Sequence, residues 1–506
     1  MPAKTLMVQG TASSVGKSIM ITALCRILKQ DGWKVTPFKA QNMSLNSFVT
    51  RDGGEIGRAQ VVQAEAAGVE PTVEMNPILL KPEADYCSQV VVKGKPMGRV
   101  MATEYYSSRV QLWSVVTESL EKLLAQYDVV LLEGAGSPAE VNLRDRDMVN
   151  MRVALYCQAP VLLVADIDRG GVFASLVGTL GLLEPEERSL VKAFVINKFR
   201  GDLSLLEPGL KWLEDRTGVP VAGVIPYYHD IHVAEEDSIS LERRRTMKRK
   251  SDYILDIAVI GLPHISNFDD FDPLEQEEGV RLRYVEPNDE LGEPDLIIIP
   301  GTKSTMADLK YLKRIGPARE IIDRAHKGKP VIGICGGYQM MGRMILDPEH
   351  VESDEPQAEG LGLLPVTTTF SPVKSTHQVR GRVIAGRGLL QEASRLSVSG
   401  YEIHMGTTNG ANDAAPFRIE ERSRRPCKDM DGCLSPCGNV LGTYIHGLFH
   451  NEGLRRSLLS ELARRKGVAF CASAKVLSKE EQYDRLADLV RNSLDMESIY
   501  RMIGLG

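Results

Sequence analysis

The chain alternates between short apolar runs and longer stretches with apolar residues at helical spacing. "TLMVQG", "DVVLLEGAG", "APVLLVADI" and "VKAFVINKF" are β-branched, almost uninterrupted hydrophobic segments, and each ends in glycine or a polar residue. Runs of that kind, separated by helices, predict strands buried on both faces of a parallel, doubly wound α/β sheet. The ligand loops of such a sheet lie at the carboxyl ends of its strands. The pattern holds over residues 1–235, stops in the polar and basic stretch 236–252 ("EDSISLERRRTMKRKSD"), and resumes over 253–453 with "YILDIAVIGLP", "DLIIIPGTKST", "PVIGICGGYQ" and "GTYIHGLFH". The sequence therefore predicts two doubly wound α/β domains joined by a linker. Residues 454–506, with "LRRSLLSELARR" and "YDRLADLVRNSL", read as a helical extension expected to pack on the second domain.

Composition narrows the class. The 506 residues are 43% hydrophobic and 25% charged, with a net charge of −6, ordinary for a globular protein and unlike a nucleic-acid binder. No apolar run approaches the ~20 residues that span a bilayer, and "MPAKTLMVQG" lacks the apolar segment of a signal peptide. The eight cysteines are scattered, which fits a reducing cytoplasm better than a disulfide framework. Cys427, Cys433 and Cys437 are close in sequence but lack C-x-x-C spacing and a fourth ligand, so they are expected to be loop positions rather than a metal site.

Two motifs carry chemistry. After the first strand, "GTASSVGKS" (10–18) opens the helix "SIMITALCRIL". Gly10 and Gly16 let backbone N–H groups turn toward phosphate oxygens, Lys17 reaches the terminal phosphates of ATP, and Ser18 offers a hydroxyl to Mg²⁺. Glu133, at a strand's C-terminal end, is the candidate second metal group. Asn197 in "INKFRGD" is placed to read the adenine edge or simply to make a turn. In "VIGICGGYQMMG" a strand breaks sharply at Cys335 and a helix follows, a nucleophile-elbow arrangement in which the helix is expected to favour the thiolate. The N–H groups of Gly336 and of Gly301 in "PGTKST" are candidates to hold an oxyanion. A base is needed; of nine histidines, His446 in "GTYIHGLF" and His404 in "YEIHMG" both lie in strand-to-turn contexts, and the residues alone leave the choice open.

Resemblance then adds to this reading. The loop G-x5-G-K-S, one residue longer than the usual P-loop, resembles the dethiobiotin synthetase group, which implies ATP-dependent phosphorylation of a carboxylate. Residues 250–450 resemble a class I, triad-type glutamine amidotransferase, and the family's histidine corresponds to His446. The acid that family carries two residues later is absent, because Leu448 stands there. A water, a backbone carbonyl or an acid from elsewhere would have to orient the ring.

Taken together, "KAQNMSLNS", "GEIGRAQ", "MNPILLKP", "SQVVVKGKPMG" and "LPHISNFDDFDPL" resemble the cobyric acid synthases of cobalamin biosynthesis. The resemblance implies ATP- and glutamine-dependent amidation of the b, d, e and g carboxylates of a corrinoid diamide, with Mg²⁺. Lys39, Asn42, Ser44 and Asn46 are then expected at the corrinoid or phosphates. His229 and His232 are expected to be ordinary loop residues, with the lining of the corrinoid cleft as the alternative. It implies small-molecule partners only, no membrane and no nucleic acid, and leaves the oligomeric state open. The rival readings are a cobyrinic acid a,c-diamide synthase, with the same architecture and different carboxylates, and a P-loop nucleotide switch, which leaves Cys335 and His446 unexplained.

Overall fold

The computed structural model describes residues 3–84, 87–101, 109–228, 231–233, 253–286, 289–410, 412–470 and 477–505. The linker read at 236–252 and His229 lie outside them.

The chain forms two compact units, and neither is continuous in sequence. The first holds Met1–Ser44, Ile56–Ile239 and Leu477–Gly506; the second holds Leu45–Glu55 and Ser240–Val476.

In the first unit, the apolar runs form a six-stranded sheet in the order Val221–Pro226, Val191–Phe199, Val161–Asp166, Lys4–Gly10, Val129–Glu133, Val35–Phe38. All its pairings are parallel. Every residue of Val129–Glu133 and of Val161–Asp166 is buried, which is why their sequences are continuous rather than alternating. Lys4–Gly10 sits between these two strands, so the glycine loop after Gly10 emerges beside Glu133 and Asp166.

The second unit has a six-stranded sheet ordered Val280–Val285, Leu255–Ile260, Leu296–Ile299, Val331–Ile334, Val440–Thr443, Cys433–Leu434. The last strand is antiparallel and the rest are parallel. A second, mixed sheet contains the long strands Thr367–Val383 and Ser397–Asn409, which pair antiparallel. Cys427 and Cys433 lie in strands and only Cys437 is exposed in a turn, so the expectation that all three are loop positions is corrected. Among the described residues no group of His, Cys, Asp and Glu is arranged to hold a metal.

The expectation for the C-terminal helices is corrected in part. Helix Glu452–Lys466 packs Leu454, Leu458, Leu459 and Leu462 into the core of the second unit. Helices Lys479–Ser493 and Met496–Ile503 instead bury Tyr483, Leu486, Val490, Ile499 and Ile503 against Leu6, Val8, Met20 and Leu24 of the first unit. Arg26 seals this contact, with Nε 2.7 Å from Asp484 and Nη1 2.5 Å from Glu480. Helical periodicity shows that a helix has an apolar face; it does not say which core takes it.

Candidate active sites

In the first unit the helix Lys17–Gln30 begins at Gly16, whose φ is +108°. A Cβ there would lie 2.1 Å from Asn197 Nδ2, so only glycine fits both the left-handed backbone and the space. Asn197 earns that closeness by donating from Nδ2 to the Val15 carbonyl at 2.8 Å. Its neighbour Lys198 donates to the Ser14 carbonyl at 2.6 Å and pairs with Asp166 at 2.7 Å. Two successive residues of "INKF" thus hold the glycine loop from below. The Lys17 ammonium rests on the carbonyls of Ala12 and Gly136, at 2.8 and 3.0 Å, folded back along the loop it would leave for a phosphate.

Glu133 is 1% exposed and fully engaged. Oε1 accepts from Ser18 Oγ at 2.7 Å and from Lys39 Nζ at 2.9 Å, and Oε2 accepts from Gln63 Nε2 at 2.5 Å. Burial opposes its charge, but Lys39, Ser18 and Gln63 outweigh burial and hold the carboxyl below the usual range. Among the described residues Gln63 Oε1 is buried with no hydrogen-bond partner, a hard oxygen on the amide whose nitrogen reaches Ser18 and Glu133. Hydroxyl, carboxylate and carbonyl oxygens are the donor set a magnesium ion takes, with waters completing its octahedron, so these residues fit one.

The expected corrinoid residues divide between the two units. Asn42 donates from Nδ2 to Gln60 Oε1 at 3.0 Å, and the Ser44 N–H donates to the Leu80 carbonyl at 3.0 Å, both in the first unit. Asn46 belongs to the second unit, where its Oδ1 accepts the Phe268 N–H at 3.3 Å. His232 donates its backbone N–H to Gln482 at 3.1 Å.

In the second unit, Cys335 sits at φ +52°, ψ −108°, a conformation costly for any residue with a side chain and typical of a nucleophile held at a sharp elbow. The elbow closes on itself: a Cβ at Gly337 would lie 2.0 Å from the Ile299 carbonyl oxygen. The Cys335 N–H donates to the Thr443 carbonyl at 2.8 Å, and Sγ donates to the Ile403 carbonyl at 3.6 Å. The candidate oxyanion loop stands alongside, since a Cβ on Gly336 would meet Thr302 N at 3.1 Å and one on Gly301 would meet His446 Cε1 at 3.0 Å.

His446 is 1% exposed, and its Nδ1 lies 2.7 Å from Asp270 Oδ2. Asp270 Oδ1 accepts the Gly447 N–H at 2.7 Å, a second anchor for the carboxylate. With Nδ1 on the acid, Nε2 is left for the sulfur. Burial works against a charged imidazole, yet Asp270 and Cys335 outweigh it and push His446 up to about 10. Tyr401 stacks on the ring at 5.2 Å and 16°. His404, the other candidate, is bound to the Gly406 carbonyl through Nδ1 at 3.1 Å and stacks on Tyr444 at 3.8 Å. Burial lowers it to about 4, so it stays neutral.

A Cys–His–Asp triad in one unit and a P-loop with a hydroxyl–carboxylate pair in the other find their counterpart among known proteins. Residues 6–241 match the CobQ/CobB/MinD/ParA nucleotide binding domain, and residues 256–454 match the CobB/CobQ-like glutamine amidotransferase domain. Across the full length, the chain is 53% identical to a cobyric acid synthase of Dehalococcoides mccartyi (strain CBDB1), covering 100% of this chain and 99% of that protein. It is 55% identical to a cobyric acid synthase of Sorangium cellulosum (strain So ce56), covering 100% and 99%, and 53% identical to one of Pelotomaculum thermopropionicum, covering 99% and 97%. The chain belongs to the cobyric acid synthase family. It is accordingly a glutamine-hydrolysing carbon–nitrogen ligase with a P-loop nucleotide-binding domain. Among the described residues no helix is long and apolar enough to cross a membrane.

Membership in the family sharpens one departure. Leu448, at the place of the amidotransferase triad acid, is 1% exposed and packed in the core of the second unit. The carboxylate that meets the His446 ring is instead that of Asp270, from "SNFDDFDPL", 176 residues before the histidine. Sequence reasoning left that group open; the only local sign is a pair of aspartates flanked by phenylalanines, acids set in an apolar context that would bury them.

Proposed function

We propose that this protein uses ATP and glutamine to amidate the b, d, e and g side-chain carboxylates of adenosylcobyrinic acid a,c-diamide. The observation that carries the reading is that one chain holds two complementary chemistries, a buried Cys335–His446–Asp270 triad and a P-loop with Ser18 against Glu133. One liberates ammonia; the other makes a carboxylate electrophilic.

In the glutaminase, His446 Nε2 takes the Cys335 proton as sulfur attacks the glutamine carboxamide carbon. The tetrahedral oxyanion is held by the N–H groups of Gly301 and Gly336. His446 then returns the proton to the leaving nitrogen, ammonia departs, and water activated by the same ring hydrolyses the thioester to glutamate. Asp270 keeps the proton on Nδ1 throughout and stabilises the imidazolium.

In the synthetase, the N–H groups after Gly10 and the amino end of the helix after Gly16 cradle the phosphates of ATP. Lys17 exchanges its loop carbonyls for the terminal phosphates. Ser18 and Glu133, with Gln63 beside them, would hold Mg²⁺, which supplies charge neutralisation on the β- and γ-phosphates. A corrinoid carboxylate oxygen attacks the γ-phosphorus, the bond to ADP breaks, and ammonia then displaces phosphate from the acyl phosphate. Lys39, Asn42 and Ser44 are the residues assigned to the corrinoid side. Asn197 serves the nucleotide by holding the loop through Val15.

Mass spectrometry of the corrinoid after incubation with ATP, magnesium and glutamine tests this. Four successive carboxyl-to-carboxamide exchanges starting from the a,c-diamide are expected. Exchange on the a and c carboxylates of the corrinoid that lacks both amides, with none on the diamide, would overturn it.

A further inference from the structure

Residues Leu45–Glu55 lie in the stretch matched by the nucleotide-binding family, yet they pack in the second unit, around the glutaminase histidine. Phe48 meets Tyr401 at 5.0 Å between ring centroids, and Tyr401 in turn stacks on His446. Val49, fully buried, clusters with Tyr401 and Ile403, and it is the Ile403 carbonyl that receives the Cys335 thiol. The segment is tied down along its length. Gln378 donates to the Val49 carbonyl at 3.0 Å, Thr376 to the Gly53 carbonyl at 2.8 Å, and Lys374 pairs with the buried Glu55 at 2.5 Å.

At the edge of the ring, the segment grips Asn267. The Ser47 N–H donates to Asn267 Oδ1 at 2.9 Å, while the next residue's N–H, Phe268, donates to Asn46 Oδ1 at 3.3 Å. Asn267 is 2% exposed and sits at φ +53°, opening the short turn Phe268–Phe271 that carries Asp270. Its Nδ2 lies 3.5 Å from His446 Nε2. Because the Ser47 donor demands an oxygen opposite it, the amide cannot be flipped: its NH₂ group faces the imidazole.

We propose that Asn46–Val49 is a positioning element of the glutaminase, acting on His446 through Asn267 at its Nε2 edge and Tyr401 on its face. Asn267 presents an N–H to Nε2, the atom that must accept the Cys335 proton. A donor there steadies the edge of the ring and opposes the imidazolium charge that Asp270 and Cys335 favour, so the proton can be passed on again. Asn267 touches no reacting carbon; it is a positioning residue. The inference rests on the glutaminase reading of Cys335 and His446.

Full-chain variants test it, read by glutamate release from glutamine and, separately, by amidation driven by ammonium salt. Asn267→Gly keeps the left-handed turn and removes the amide; Asn267→Asp keeps the acceptor for Ser47 and removes the donor. Both are expected to lower kcat for glutamine about 10–100-fold, the scale of a small misplacement at a reacting group. Asn267→Asp should also move the acid-side rise of kcat/KM to higher pH, since a carboxylate beside Nε2 holds the imidazole proton. Phe48→Ala is expected to lower glutamate release and leave ammonium-driven amidation as in the wild type. Asn46→Ala should weaken the glutamine reaction at least tenfold more than the ammonium reaction, and Asn46→Asp, which retains an acceptor, should restore it.

Wild-type glutamate release by Asn267→Gly, or equal loss of both reactions in a folded Asn46→Ala, would overturn the proposal. If the wild type hydrolyses glutamine but amidates nothing, the synthetase reading fails, and glutamate release still judges this inference.

Discussion

Replacing Asp270 with asparagine leaves a similar shape against His446 but lets an amide choose the wrong imidazole tautomer. Loss of the triad acid's charge costs about 10⁴-fold in turnover where the geometry is kept. Asp270→Asn is therefore expected to reduce glutamate release by that order while ammonium-driven amidation persists, and comparing the two assays checks it. The same pair has a pH signature. His446 binds its proton near pH 10 when folded against an ordinary 6.5, so its stabilising contribution is complete below about 6.5 and is lost as pH rises through 10. Denaturation of wild type and Asp270→Asn from neutral to alkaline pH should show the stability gap narrowing. His404 behaves oppositely: held at about 4, it adds stability above 6.5 that disappears as pH falls through 4. Substituting His404 with glutamine should flatten the acid side of the same profile. At this scale Cys335, His446, Lys17 and Glu133 were legible as candidates, because each lies in a local motif at or shortly after a strand end. Asp270 carries no such mark. Its role comes from a turn set by Asn267 and from a partner 176 residues away.

Among the elements, the strands were legible and the packing of the C-terminal helices was not. Continuous apolar runs such as Val161–Asp166 can only be buried on both faces, so their sheet follows from the pattern. The helix Lys479–Ser493 has an apolar face and a Ser478–Glu481 capping box that are equally compatible with either core. What selects the first unit is matched polar chemistry around that face, with Arg26 on Asp484 and Glu480 and the Tyr483 hydroxyl donating to Glu65 at 2.8 Å. Leu486 is fully buried there. Leu486→Ala is expected to lower stability by about 2–5 kcal/mol, measured by denaturant unfolding, with the loss in the unit that binds nucleotide and with glutamate release retained. The segment Leu45–Glu55 escaped the sequence for a related reason. Apart from "SFV" it is short and polar, and no periodicity announces that it leaves one unit for another.

For the molecule as a whole, the division of labour makes the two active sites separable by nitrogen source. Lys17→Ala removes the charge that Gly136 and Ala12 now hold and is expected to abolish amidation from glutamine and from ammonium alike, with glutamate release persisting. The most direct measurement uses Cys335→Ala, with the corrinoid diamide, ATP and magnesium, supplied first with glutamine and then with ammonium salt. The account predicts no carboxamide from glutamine and full amidation from ammonium. Equal amidation from both sources, or none from either in a folded variant, would contradict it.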